Sequence, residues 1–315
     1  IDALAPLLAT ADDGEWSAEV TPALGKLLRK SPLQGARVAR GALRDKRGLA
    51  EDSAVAIVQA LVPACRHATP EAREEAAAAM RALAAAAAPG EAAVAVATAA
   101  VKALEVKPRP GDAKQRVGMY ACAAAAAAAY GSAGRGARPP AAILESALVA
   151  LAAQCKAEMN EPARIAAVEA LGDWLAIGPA AEDGSPTPTA VVDVLAAGAA
   201  DKGDAARLAY LRCLHRATAS AAHTNGAPAG GLLPLVAPLA KAAQAAAAKA
   251  AFRGEGTFAV AALARIALLS PEGAAALAEC KAWVDAVMAK EGVLLAPASA
   301  AKMGDRECEA LADAA

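Results

Sequence analysis

One phrase recurs along the chain: a Pro or Asp, then an Arg, then a helix with an apolar stripe. Its four copies are TPEAREEAAAAMRALA from Thr69, GDAKQRVGMYACAAAA from Gly111, NEPARIAAVEALGDWLA from Asn160 and KGDAARLAYLRCLHRA from Lys202. Aligned on the arginine, the copies contribute Arg73, Arg116, Arg164 and Arg207, at spacings of 43, 48 and 43 residues. Self-similarity at this period is typical of HEAT and armadillo arrays, in which each repeat is a helical pair.

Each arginine is expected near the start of the second helix of a pair. Apolar residues follow it at positions +3, +4, +7 and +10, which form one face of a helix with 3.6 residues per turn. Six of these are expected to be largely buried between adjacent pairs: Met80, Leu83, Leu171, Trp174, Leu211 and Leu214. An Arg at this place can donate hydrogen bonds to carbonyls or acids of the neighbouring repeat, so we interpret the four arginines as a structural ladder rather than as ligands.

The first helices of the pairs are strongly apolar segments, such as 54–67, 139–155 and 231–248. Segments rich in Gly and Pro separate the pairs, at 107–111, 131–140, 181–189 and 224–231. No run of alternating β-branched residues indicates a strand. The sequence therefore predicts an all-α, HEAT/armadillo-like α-solenoid of about six to seven helical pairs. It is expected to be one segment across 1–315, with its pairs clearest from 51 to 270.

Composition agrees with thin helical layers. Hydrophobic residues make up 57% of the chain but aromatic residues only 3%. Alanine is the best helix former, yet it removes too little surface from water to anchor a deep core. Close packing of small helical layers is the arrangement that suits such a composition.

The sequence contains no recognisable catalytic or metal-binding motif. Two Cys-x-His pairs, Cys65 with His67 and Cys213 with His215, place their members on different helix faces and lack a third ligand nearby. The glycine-rich segments 130–140 and 253–258 follow no strand and lack the ending of a P-loop. We therefore expect no enzyme activity, no metal and no cofactor.

The six cysteines are scattered without pairing motifs, which favours reduced, buried thiols in a cytoplasmic protein. No signal peptide is visible and the apolar runs are too short for a membrane span, so no membrane association is expected. The chain begins with Ile1 rather than Met, which favours a fragment of a longer protein.

One charge feature stands out in a chain whose formal net charge is −1. Between residues 26 and 47, a single acid, Asp45, accompanies eight cations: Lys26, Arg29, Lys30, Arg37, Arg40, Arg44, Lys46 and Arg47. If they lie on a helix, Arg37, Arg40, Arg44 and Arg47 share one face. This pattern is typical of a contact with RNA phosphates or an acidic protein, and equally of a solvated helical face. A weaker group comprises Lys102, Lys107, Arg109, Lys114, Arg116, Arg135 and Arg138.

Several segments resemble, in the same order, helices in the amino-terminal part of one HEAT-repeat family. They are 19–32, 68–84, 207–217, 232–243 and 256–269, within 15–270. The family is the ribosome-associated activator of the initiation-factor-2α kinase, general control non-derepressible protein one. The resemblance implies a HEAT fold and partners that include the ribosome and the kinase-activation machinery. The family's kinase-binding segment has no counterpart here, so the resemblance implies no functional residue.

Three classes of function follow from these observations. The first is a non-enzymatic scaffold of a ribosome-associated regulator of translational stress. The second is a generic HEAT adaptor, in transport or trafficking, that binds a protein partner. The third, a helical enzyme, lacks any nucleophile, base or ligand cluster at a meaningful spacing. Binding that weakens steeply with salt distinguishes the first class from the second, because counterion release accompanies phosphate contacts.

Overall fold

The computed structural model describes residues 8, 11–87, 90–105, 112–131, 139–177, 187–223, 232–248, 253–267 and 270–280, and the all-α prediction is confirmed. Within these ranges lie thirteen α-helices longer than one turn: α1 Thr21–Lys30, α2 Pro32–Arg44, α3 Glu51–Cys65, α4 Pro70–Ala86, α5 Glu91–Glu105, α6 Ala113–Gly131, α7 Ala141–Ala157, α8 Glu161–Ile177, α9 Thr189–Gly198, α10 Asp204–His223, α11 Val236–Ala248, α12 Arg253–Ala267 and α13 Pro271–Glu279. A helical turn, Asp13–Glu15, and a π-helical segment, Trp16–Val20, lead into α1. The same ranges contain no strand, only an isolated β-bridge between Leu49 and Ala87.

The helices begin where residues that favour helix starts occur in the sequence. Pro70 is the first residue of α4, where its missing N–H group costs nothing. Asp204 is the first residue of α10, where its negative charge is favoured by the helix dipole. The side chain of Asn160 accepts a hydrogen bond from the Ala163 N–H at 3.2 Å, which caps the start of α8.

The chain forms two compact units, residues 1–177 and 178–315. In the first unit, consecutive helices pack as the pairs α1–α2, α3–α4, α5–α6 and α7–α8. The first helices of the pairs pack side by side in chain order, and so do the second helices. The result is two layers of helices.

The second unit follows the same scheme. Helix α9 packs against α10, and α11 packs against α12. Helices α10 and α12 also contact each other, as do α9 and α11, while α13 packs against both α11 and α12.

The core prediction is confirmed. Six side chains expected between the layers are fully buried: Met80, Leu83, Leu171, Trp174, Leu211 and Leu214. Many of the other buried residues are alanines, which lets helices approach closely. The closest approach is at Gly118, where a Cβ atom would lie 1.7 Å from the carbonyl oxygen of Cys65. Only glycine allows α6 to cross the end of α3 at this distance.

Candidate functional site

The cations of segment 26–47 lie mostly on the outside of the first helical pair. Seven of them are exposed, and we call this set the basic surface: Lys26, Arg29, Lys30, Arg37, Arg40, Arg44 and Arg47. Three belong to α1 and three to α2, two consecutive helices that are joined at Ser31.

The expected ridge of four arginines on one helix is only partly formed. Helix α2 ends at Arg44, so Arg37, Arg40 and Arg44 share the helix while Arg47 lies beyond it. The Arg47 guanidinium folds back and donates hydrogen bonds to the carbonyls of Arg44 at 3.0 Å and Lys46 at 2.8 Å. The helical part of the ridge is therefore about 10 Å long, at about 1.5 Å per residue.

Lys46 lies inside the unit rather than on its surface. Its side chain is only 10% exposed, and its Nζ donates hydrogen bonds to the Ala11 carbonyl at 3.1 Å and to Asp13 at 2.9 Å. The same ammonium group lies 5.6 Å from the centroid of the buried Trp16 ring. Hydrogen bonds, an ion pair and the aromatic face together offset the desolvation of the charge. Lys46 thus holds residues 11–13 against the first helical pair.

An acid on the neighbouring helix α4 neutralises part of the basic surface. Glu75 lies 3.6 Å from the Arg37 guanidinium and 3.3 Å from that of Arg40. Within the part of the chain that the structure describes, four members make neither an ion pair nor a side-chain hydrogen bond: Lys26, Arg29, Lys30 and Arg44. These four carry the positive charge that remains available to a partner.

The four repeat arginines occupy the same place in their helices. Each is the fourth residue of α4, α6, α8 or α10, and its N–H group donates to the carbonyl four residues earlier. Three of the guanidinium groups also donate to the carbonyl six residues earlier, in the turn before the helix: Arg73 to His67, Arg164 to Glu158 and Arg207 to Asp201. The arginine therefore fixes the turn within its own pair.

Arg116 makes an additional ion pair with the next helical pair along the chain. Its guanidinium donates to both carboxylate oxygens of Glu158, at 2.5 and 3.0 Å, and the Glu158 side chain is only 3% exposed. The Asn160 N–H also donates to this carboxylate at 2.9 Å, and the Tyr120 hydroxyl lies 3.3 Å from it. Burial by itself raises the pKa of Glu158, but the bonds from Arg116, Asn160 and Tyr120 outweigh it and hold the pKa below its usual value.

Arg207 makes the equivalent ion pair in the second unit. It donates to both carboxylate oxygens of Glu255, at 2.7 and 3.0 Å, and to Asp204 at 2.6 Å. The hydrogen bonds to Glu255 raise the pKa of Arg207, because their effect is larger than that of burial, which by itself would lower this pKa. Glu158 and Glu255 are buried acids that the sequence interpretation missed. Their spacing could have indicated the pairing, because each acid lies about one repeat length after its arginine in the sequence.

The histidines and cysteines do not assemble into a reactive site in the described parts of the chain. No group of three His, Cys, Asp or Glu side chains there is arranged to hold a metal ion. Five cysteines are free and buried, namely Cys65, Cys122, Cys155, Cys213 and Cys280, while Cys308 lies outside the described residues. Burial raises the pKa of the Cys155 thiol to about 12, which keeps it protonated and unreactive at neutral pH.

The weaker group of cations is described only in part. Lys107, Arg109, Arg135 and Arg138 lie outside the described residues. Lys102 and Lys114 are exposed on α5 and α6, and Arg116 is engaged by Glu158.

No described helix has both the length and the apolar character that crossing a membrane requires. Taken together, the fold is that of an all-α protein of packed helical pairs that carries one basic surface. No protein-family model matches the chain, and no curated protein matches it.

Proposed function

We propose that this chain is a non-enzymatic, HEAT-like scaffold segment that associates with the ribosome in the cytoplasm by contacting RNA phosphates. The observation that carries the proposal is the basic surface: seven exposed cations within 22 residues of a chain whose formal net charge is −1. The HEAT-like interpretation is supported by the two-layer packing of the helical pairs and by the common position of Arg73, Arg116, Arg164 and Arg207.

The family resemblance adds the biological setting. It supports a role in a regulator of translational stress that helps to activate an initiation-factor-2α kinase. Within that setting, this segment supplies ribosome contact, because the part of the family that binds the kinase has no counterpart here.

The chemistry of the basic surface favours phosphates over bases. Aromatic side chains, on which single-stranded bases stack, make up only 3% of the chain, and none lies between residues 26 and 47. The four cations without an ion pair or a side-chain hydrogen bond can each displace a counterion from RNA. For four phosphate contacts, raising salt from about 50 to 200 mM is expected to weaken binding about 50- to 150-fold.

The test is co-sedimentation with purified ribosomes across a salt titration, using charge reversal of the four unpaired cations. The variant is Lys26→Glu, Arg29→Glu, Lys30→Glu and Arg44→Glu. Arg37 and Arg40 stay unchanged, because a glutamate in their place would face Glu75 and confound binding with stability. We expect this variant to lose most of its binding at low salt, and the wild-type chain to lose binding steeply as salt rises.

The matched control reverses four exposed lysines elsewhere: Lys114→Glu, Lys156→Glu, Lys202→Glu and Lys241→Glu. Both variants change the formal charge by the same amount. If the basic surface binds the ribosome specifically, only the first variant loses ribosome binding. Circular dichroism melts establish that both remain folded. A folded first variant that still co-sediments like the wild type would contradict the proposal and favour the alternative, a HEAT adaptor for a protein partner.

A further inference from the structure

An open groove runs between the neighbouring first helices α3 and α5. Its volume is about 520 Å³, and it is lined by Glu51, Val55, Gln59, Glu91, Val94, Ala95, Thr98, Ala99 and Lys102. The α3 residues recur at every fourth position, and the α5 residues at every third or fourth, so each helix offers one continuous face. The groove shares no residue with the basic surface, which comprises cations of α1 and α2 together with Arg47.

The two ends of the groove differ in charge. Leu49 and Ala87, just before α3 and α5, form a parallel β-bridge, in which the Leu49 N–H donates to the Ala86 carbonyl at 2.9 Å. This bridge brings the starts of the two helices to the same end, together with their first residues, Glu51 and Glu91. Lys102 lies eleven residues along α5, about 16 Å away at 1.5 Å per residue.

The floor of the groove is made of small side chains that are only half-buried. Val55, Val94, Ala95, Thr98 and Ala99 each keep part of their surface exposed to water. Binding sites for small molecules bury most of the ligand, and this open, elongated groove cannot do so. It is instead the kind of groove into which a row of side chains on another helix can pack.

The charges on the rim have no internal partners. Glu51, Glu91 and Lys102 are exposed, and none makes an ion pair within the described residues. A peptide segment that lies along the groove is therefore bound most favourably when it carries a cation at the end near Glu51 and Glu91 and a carboxylate at the end near Lys102.

We propose that this groove docks an amphipathic helix of a partner protein, with small apolar side chains along one stripe, a Lys or Arg at one end and an Asp or Glu at the other. The inference does not depend on ribosome binding, since the two surfaces share no residue. A helix with its two charges about 11 residues apart spans the roughly 16 Å between the ends of the groove.

The experiment measures fluorescence anisotropy of labelled helical peptides of about 16 residues, about 24 Å long, added to the full chain. The dipolar peptide carries Lys at one end, Glu at the other and an Ala/Val stripe between them. The acidic peptide is identical except that it carries Glu at both ends. We expect the wild-type chain to bind the dipolar peptide about tenfold more tightly, and Glu51→Lys with Glu91→Lys to reverse this preference.

A second variant tests the floor rather than the rim. Ala95→Arg places a long side chain in the groove and is expected to abolish binding of the dipolar peptide. Ala153→Arg makes the same change at an exposed alanine of α7, outside the groove, and is expected to have no effect. No saturable binding, equal affinity for the two peptides, an unreversed preference in the folded double variant, or an unaffected Ala95→Arg chain would each overturn the proposal.

Discussion

Replacing Glu158 by Ala is expected to lower the free energy of unfolding of the first unit by about 3–5 kcal/mol. The change leaves the guanidinium of Arg116, whose side chain is 15% exposed, without the carboxylate that receives two of its hydrogen bonds. The Asn160 N–H and the Tyr120 hydroxyl lose the same partner. A urea titration followed by circular dichroism measures the loss. Glu145→Ala, at an exposed acid of α7, is the matched control and should change stability by less than about 0.5 kcal/mol.

The same carboxylate makes part of the stability of the first unit depend on pH. Because the pKa of Glu158 is lower in the folded chain than in the unfolded one, its contribution is fully present above the ordinary glutamate pKa of about 4.3 and is lost as pH falls through the lowered value. We expect the stability difference between the wild-type chain and Glu158→Gln to shrink as pH falls from about 5 towards 3. A difference that stays constant over this range would show that folding does not lower the pKa of Glu158.

The second large effect is expected for Trp174→Ala, which should cost about 3–5 kcal/mol by lost burial and a cavity. The Trp174 side chain is fully buried in α8, its Nε1–H donates to the Ala123 carbonyl of α6 at 2.9 Å, and its ring centroid lies 6.4 Å from that of Tyr130. It is thus the largest side chain that joins two second helices. Trp174→Phe keeps most of the apolar volume but loses the hydrogen bond, so it should cost markedly less. Equal losses for the two variants would mean that the hydrogen bond, rather than packing, carries the effect.

The helices and their buried faces could be predicted from the sequence because both depend on local pattern. A proline, Asp or Asn followed by an apolar stripe is enough to place the starts of α4, α6, α8 and α10 within a residue or two. The same pattern identified Leu171 and Trp174 as core residues, since a fixed helical period determines which side chains share a face.

The charged residues could not be placed in the same way, because their partners are distant in sequence. Lys46 follows the same run of cations as Arg44, and nothing in its neighbours indicates an ion pair with Asp13, 33 residues earlier. Arg47 departs from the ridge because α2 ends three residues before it, where the chain turns towards Gly48 at a φ of 72°. The partnership of Arg116 with Glu158 likewise depends on the stacking of helical pairs, which local periodicity does not encode.

The partners of the repeat arginines affect how local unfolding would spread through the first unit. In a nearest-neighbour description of stacked helical pairs, cooperativity grows with the coupling across each junction. Arg116 joins α6 to the pair that contains Glu158, whereas the Arg73 guanidinium donates to the carbonyls of His67 and Ala68, in the turn before its own helix. A buried ion pair therefore couples the third and fourth pairs. Between the second and third pairs, the Arg66 guanidinium donates a hydrogen bond to the Ala103 carbonyl at 2.8 Å, and Gly118 packs closely against Cys65. Local unfolding that begins in the first two pairs would therefore be opposed most strongly at the ion pair between Arg116 and Glu158.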